Sequence, residues 1–108
     1  MDAKDVFAAA HFAPDKMQKI NLFETEHFFC DVYCLEPGQD QKPHAHDDQD
    51  KIYLVLEGRG RVVVGAASET LEAGEAIVAP AGTSHGIAND GTARLTVLVV
   101  VAPPPAHA

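Results

Sequence analysis

The sequence has no tryptophan, two cysteines, eight basic residues and no long hydrophobic run. Eight Lys and Arg against sixteen Asp and Glu give a formal net charge of -8. Such a chain has no surplus of cations with which to neutralise nucleic-acid phosphates or an anionic membrane surface. The longest apolar stretch, residues 95–102, has the length of a strand and is far too short to span a bilayer. We therefore expect no nucleic-acid partner and no membrane partner.

The two cysteines, Cys30 and Cys34, lie in a segment of strand-forming composition. On one extended strand their Cα atoms would be roughly 13 Å apart, whereas a disulfide requires about 7 Å or less. A zinc-binding pair would be spaced more closely, in a turn. We predict two free thiols in the core, which are typical of a reducing compartment. The N-terminus has acidic residues where a signal peptide has basic ones, so the expected location is cytoplasmic.

Short segments rich in β-branched and aromatic residues alternate with Gly, Pro and Asn turn signals along most of the chain. The clearest of them are residues 19–23, 28–35, 52–56, 61–64 and 94–101. Eight or nine short strands and no helical periodicity predict an all-β sandwich or barrel. We expect an N-terminal arm at residues 1–16, one barrel domain at 17–102 and a C-terminal tail at 103–108.

Two of these segments, residues 52–56 and 95–101, are apolar on both faces. One face can fill a barrel, but the other must pack against a second sheet, the N-terminal arm or another subunit. We predict a homodimer whose contact comes from these strands or from the arm that precedes Glu36.

Six histidines occur, and two of them form the sequence His44-Ala45-His46. Residues two apart on a strand project from the same face, so both imidazoles can reach one metal ion. An HxH pair alone is a weak signal, because a chain of this composition can contain one by chance. The histidines at positions 11, 27 and 107 have no such context and are interpreted as background.

The spacing of glycines, proline and histidines around this pair resembles the two sequence motifs of the cupin family. The first motif comprises Gly38, five residues, His44-x-His46 and a strand that closes on Gly58. The second motif comprises Gly74, five residues, Pro80-x-Gly82, two residues, His85, three residues and Asn89. Fifteen residues separate the motifs, a length typical of small single-barrel members.

This resemblance implies a double-stranded β-helix, the jelly-roll barrel of the cupin type. It also implies that His44, His46 and His85 hold a divalent transition metal, with Fe, Mn, Ni and Zn as the candidates. The ligand would be a small, oxygen-rich or anionic molecule. The reaction would be dioxygenation, decarboxylation or isomerisation, and the alternative is a binding or sensing module that uses the same pocket without turnover.

The sequence departs from the family at Lys51, where the first motif usually has a glutamate that binds the metal. An ammonium group is no ligand, and two unit charges 4 Å apart repel by about 4 kcal/mol at an effective dielectric constant near 20. Lys51 therefore either pairs outward with an acidic loop (Asp47, Asp48, Asp50), or faces the cavity, or replaces the metal altogether. In the cavity it would have a lowered pKa or hold an anionic substrate. We expect the inward orientation, because strand alternation places Lys51 and Tyr53 on one face.

Two neighbours of Lys51 complete the set of candidate site residues. Gln49 shares its side of the predicted strand and offers an amide oxygen as a fourth metal ligand; the alternative is a solvated loop glutamine. Tyr53 is a candidate hydrogen-bond donor or acid, although an aromatic that only fills the barrel is the commoner role. The candidate catalytic residues are thus Lys51 and Tyr53.

Overall fold

A computed structural model of the protein describes residues 1–104. One short helix precedes nine strands: α1 Val6–Ala9, β1 Gln18–Glu24, β2 Phe29–Leu35, β3 Asp40–His44, β4 Asp50–Glu57, β5 Arg59–Val64, β6 Ala67–Glu72, β7 Ala76–Ala79, β8 His85–Ala88 and β9 Leu95–Ala102. The predicted tail at 103–108 and His107 fall largely outside the described residues. Within that range no helix is long and apolar enough to cross a membrane.

The strands form two sheets in which all pairings are antiparallel. One sheet has the strand order β1-β2-β9-β4-β7 and the other β3-β8-β5-β6. Neighbours that are distant in sequence, such as β2 with β9 and β3 with β8, bring the N-terminal and C-terminal parts of the chain together. The prediction of an all-β fold is confirmed.

The barrel core lies between the inner faces of the two sheets. Strand β4 shows the alternation that builds it, since Lys51, Tyr53 and Val55 are buried while Ile52 between them is exposed. The opposite sheet contributes Val62 and Ile87. Apolar side chains fill the middle of the barrel, so a polar site has room only at the barrel's ends.

A second apolar cluster lies on the outer face of the five-stranded sheet. Leu22 and the two cysteines belong to it, and the N-terminal residues Val6 and Phe12 pack against it. Both cysteines are free and buried, as the sequence predicts. The arm thus covers the outer face at β1 and β2.

Candidate metal centre

Two histidines on paired strands and a third, His46, two residues beyond the end of β3 meet at one end of the barrel. His44 ends β3 and lies opposite His85, the first residue of β8, in the strand register. The ring centroid of His44 lies 4.5 Å from that of His85 and 4.9 Å from that of His46. Their ligand-capable nitrogens all lie within 4.8 Å of one another, the one such group of His, Cys, Asp and Glu found within residues 1–104.

Backbone carbonyls orient two of the three rings. Nδ1 of His44 lies 3.0 Å from the carbonyl oxygen of Lys42, and Nδ1 of His85 lies 3.1 Å from that of Thr83. A carbonyl only accepts hydrogen bonds, so Nδ1 carries the hydrogen in both rings and each Nε2 retains a free lone pair. This is the arrangement that typically surrounds metal-bound histidines.

The Nε2 atom of His85 is buried and has no hydrogen-bond partner. Leaving a buried polar nitrogen unsatisfied costs about 1–3 kcal/mol, so such an atom calls for an explanation. A divalent transition metal accepts electron density from this nitrogen and from the nearby rings of His44 and His46. The residues present therefore fit such a metal.

Burial keeps the imidazoles of His44 and His85 in the neutral form that binds metals. It is the largest cause that lowers the pKa of His85 to about 4, and Lys51 lowers it further by charge repulsion. Burial also lowers the pKa of His44 below its ordinary value. Both rings are consequently neutral at pH 7, and no proton has to leave them before a metal binds.

Gly86 allows the two strands that carry the histidines to approach each other. A Cβ at this position would lie 2.7 Å from the carbonyl oxygen of Gln41 and 2.9 Å from the nitrogen of Pro43, both backbone atoms of β3. Neither atom can move without displacing the strand, so β3 and His44 stay in place only with glycine at residue 86.

We expect Gly86→Ala to lower the affinity for a divalent metal by about tenfold or more, because a shift of β3 separates His44 from His85. It should also cost about 1–3 kcal/mol of unfolding free energy through overpacking. Chelator competition and denaturant unfolding measure the two effects. Gly91→Ala is the matched control, since a Cβ there makes an ordinary contact at 3.5 Å. Unchanged affinity in Gly86→Ala would contradict the close-approach argument.

Lys51 points into the barrel rather than toward the acidic loop. Its side chain is only 4% exposed, and Nζ donates a hydrogen bond of 3.1 Å to Oε1 of Gln41. Nζ also lies 5.0 Å from the ring centroids of both Tyr33 and Tyr53. Asp50, one of the acidic residues considered as an outward partner of Lys51, instead accepts a hydrogen bond at Oδ1 from the backbone nitrogen of Ala81.

Gln41 is the site residue that the sequence did not reveal. Its Oε1 accepts hydrogen bonds from Lys51 and from the hydroxyl of Tyr53, both at 3.1 Å, and its Nε2 donates to the hydroxyl of Tyr33 at 3.4 Å. Simple alternation back from His44 assigns residue 41 to the opposite face. The strand register shifts between Gln41 and His44, so alternation does not apply there.

The other two candidate residues, Tyr53 and Gln49, are both buried but form hydrogen bonds to different partners. Tyr53 is fully buried, and burial raises the pKa of its hydroxyl well above the ordinary value. The hydroxyl is therefore a neutral hydrogen-bond donor to Gln41. Gln49 is also buried, and its Nε2 donates a hydrogen bond of 3.1 Å to the carbonyl oxygen of Pro103.

A cavity of about 270 Å³ opens beside the histidines, a volume that suits a small molecule. Its wall includes two lysines and one buried carboxyl; the lining residues are Lys19, Phe29, Asp31, Tyr33, Gln41, His44, His46, Gln49, Lys51 and Val101. A larger hollow of about 340 Å³ lies between Gly58 and Asn89 and contains none of the histidines. The cavity beside the histidines is therefore the candidate ligand site.

Burial of Lys51 should make the stability of the metal-free protein depend on pH. Burial, followed by repulsion from Lys19, lowers its pKa to about 7 from an ordinary 10.5. Between these values the unfolded chain holds a proton that the folded protein releases, so the unfolding free energy rises as pH increases from 7 toward 10.5. Lys51→Met should therefore stabilise the protein at pH 7 by on the order of 3 kcal/mol, and the difference should shrink at higher pH.

Urea unfolding at several pH values measures this difference. Lys16→Met, a change at an exposed lysine, should leave the profile of the wild type unaltered. A constant difference between wild type and Lys51→Met across this range would show that Lys51 keeps its proton in the folded state.

A small two-sheet barrel with three converging histidines beside a polar cavity defines a β-barrel protein with a candidate metal centre. The chain belongs to the cupin family, since the family's sequence profile for the cupin domain (Cupin_2) matches residues 31–101.

Solved structures and relatives agree with this assignment. The protein TT1209 from Thermus thermophilus is 44% identical and superposes with a TM-score of 0.95 over 97% of this chain and 100% of that one. A conserved protein with a double-stranded β-helix domain from Klebsiella pneumoniae superposes with a TM-score of 0.90 over 99% of this chain and 94% of that one, at 24% identity. The uncharacterized protein SCO3923 of Streptomyces coelicolor is 38% identical over 75 residues, 68% of each chain. Two other relatives are longer, and the chain spans 48% of one and 51% of the other. The prediction of a cupin-type double-stranded β-helix is confirmed.

Proposed function

We propose that this cupin binds a divalent transition metal (Fe, Mn, Ni or Zn) through Nε2 of His44, His46 and His85. The observation that carries the proposal is the buried Nε2 of His85, which has no partner and belongs to the same cluster as the other two rings. The metal would act as a Lewis acid toward a ligand in the adjacent cavity. Coordination by Gln49 stays a prediction.

We further propose that the ligand is a small anionic or oxygen-rich molecule. Three neutral imidazoles leave the charge of a dication uncompensated, and two lysines in the same wall add positive charge. The residues of the chain would bind the ligand and orient it: Lys51 would pair with an anionic group, while Gln41 keeps the lysine in position. The corresponding chemistry is dioxygenation, decarboxylation or isomerisation.

A second candidate function is a binding or sensing module without turnover. This candidate is favoured by the hydrogen bond that the hydroxyl of Tyr53 donates to Gln41. Because its hydrogen is used in that bond, the hydroxyl is not a free acid beside the histidines. Incubation of the metal-loaded protein with a panel of small carboxylates and sugars distinguishes the two functions. Product formation supports an enzyme, whereas saturable binding of a panel member without product supports the module. The absence of both turnover and binding would contradict the proposed ligand class.

We also propose a homodimer formed through the outer face of β4 and β7. Ile52 and Val78 are cross-strand partners and are 44% and 52% exposed, beyond the part of the sheet that the N-terminal arm covers. Association of two copies would bury both residues. The free, buried Cys30 and Cys34 support a reducing, cytoplasmic location.

We expect Val78→Glu to convert the dimer to a monomer, because two like charges would face each other across the two-fold axis or lose their hydration on association. Light scattering at micromolar concentration measures the mass. Thr70→Glu, an exposed strand position in the other sheet, is the control and should remain dimeric. A wild-type mass near 11.5 kDa would overturn the dimer.

A further inference from the structure

Asp31 is a buried carboxylate that the proposed metal site does not use. It is 6% exposed and lines the cavity beside the histidines. Its neighbours in β2, Cys30 and Val32, belong to the outer apolar cluster, so alternation along the strand points Asp31 into the barrel. Burying a carboxylate costs free energy unless hydrogen bonds or an opposite charge replace its hydration. Within residues 1–104 no ion pair involves Asp31.

One of the two oxygens of this carboxylate has a hydrogen-bond partner. Oδ1 accepts a hydrogen bond of 3.1 Å from Nδ2 of Asn21, the residue opposite Asp31 in the register of β1 and β2. Oδ2 accepts none in the part of the chain that the structure describes. It is not sealed in the core either, because Nε2 of His85 is the one fully buried polar side-chain atom without a partner among these residues. Oδ2 is therefore a free acceptor that a molecule in the cavity can reach.

A cation lies beside this acceptor on the neighbouring strand. Lys19 is opposite Tyr33 in the register, so Lys19 and Asp31 are diagonal neighbours on the inner face of the sheet. Diagonal neighbours of this kind are about 7–8 Å apart. Nζ of Lys19 lies 5.4 Å from the ring centroid of Tyr33, which also lines the cavity. A cation and a free carboxylate oxygen are thus within reach of one small molecule.

We propose that the ligand is a small hydroxycarboxylic acid, whose carboxylate pairs with Lys19 and whose hydroxyl donates a hydrogen bond to Oδ2 of Asp31. This ligand belongs to the anionic class proposed above, on which the assignment rests. A hydroxyl suits the site better than an ammonium group, because two lysines already line the wall and would repel a third cation. Asp31 thus determines specificity for the hydroxyl, Asn21 positions Asp31, and Lys19 supplies affinity for the carboxylate.

Titration calorimetry with L-malate and succinate, which differ by one hydroxyl, tests the proposal. The cavity of about 270 Å³ accommodates either acid. We expect the wild type to bind malate about tenfold or more tightly than succinate, because succinate leaves Oδ2 unpaired. In Asp31→Leu the two affinities should agree within about twofold, since no acceptor remains. Asp15→Leu, at an exposed position outside the cavity, is the control and should keep the preference. Equal binding of both acids by the wild type, or a preference retained in Asp31→Leu, overturns the proposal.

Two further variants separate the roles of the neighbouring residues. Lys19→Gln should weaken both acids by about threefold or more and leave their ratio unchanged. Asn21→Ala, at an exposed position, should lower the ratio without removing the carboxylate, and it tests the proposal even if Asp31→Leu does not fold. An unchanged ratio in Asn21→Ala overturns the positioning role.

The same titrations after treatment with a chelator separate this proposal from the metal site. The preference for malate should persist, because Asp31 and Lys19 belong to the chain. A preference seen only in the metal-loaded protein would show that the metal recognises the hydroxyl, and it overturns the role of Asp31. Equal binding of the two acids contradicts this proposal and leaves the anionic ligand class intact, whereas binding of neither acid in either form contradicts both.

Discussion

Replacing His85 with leucine should lower the affinity of the protein for Zn(II) or Mn(II) by more than about 100-fold. Loss of groups that merely support a metal ligand costs about 10–100-fold, and loss of one of three ligands should cost more. Leucine has a similar volume and no lone pair, so it also removes the unsatisfied buried Nε2. We therefore expect the metal-free variant to remain as stable as the wild type or to become more stable.

Competition with a chromogenic chelator measures the affinity, and thermal unfolding in EDTA checks the fold. His27→Leu is the matched control, because that histidine is exposed and lies outside the cluster. Equal metal affinity of the wild type and His85→Leu would contradict the ligand assignment.

Replacing Lys51 with glutamate should raise the metal affinity by about 10–100-fold. Burial lowers the pKa of Lys51 to about 7, so below that pH a protonated lysine lines the same cavity as His44 and His46 and repels a dication. Burial also keeps this repulsion from being screened by solvent. Glutamate turns the repulsion into attraction and supplies the carboxylate that the cupin motif usually has at this position. The amide of Gln41 can turn to donate to the new carboxylate. The same change should weaken binding of anionic ligands, because the cation that pairs with them is lost.

Lys51→Gln is the control for this prediction. It removes the charge without adding a ligand of comparable strength, so its affinity should lie between those of the wild type and Lys51→Glu. Identical affinities for all three proteins would show that residue 51 does not act on the metal, and the argument for an anionic ligand would fall with it.

The sequence predicted the strands whose own composition forms the core. Strands β4 and β9 are long, rich in β-branched residues and bounded by turns, and alternation along β4 correctly placed Lys51 and Tyr53 inside the barrel. Strand β3 has no such signal, since it is polar, largely exposed and contains Pro43. The His44-x-His46 pair at its end is a weak signal by itself, and the spacing of the family motif made it specific.

Features that depend on contacts between distant segments could not be predicted in the same way. The register shift in β3 that turns Gln41 toward Lys51 is set by pairing with β8. The close approach at Gly86 involves backbone atoms more than forty residues earlier in the sequence. The sequence predicted that one sheet has an apolar outer face. It could not predict how much of this face the N-terminal arm covers, because that depends on the packing of residues such as Phe12 against the outer cluster.

Anomalous diffraction from crystals of the protein purified without added metal tests the central claim most directly. We predict one anomalous peak per chain, bonded to Nε2 of His44, His46 and His85 at about 2.0–2.3 Å. A chain with no peak after soaking in Zn(II) or Mn(II), a peak bound elsewhere, or any of the three rings turned toward solvent would contradict it.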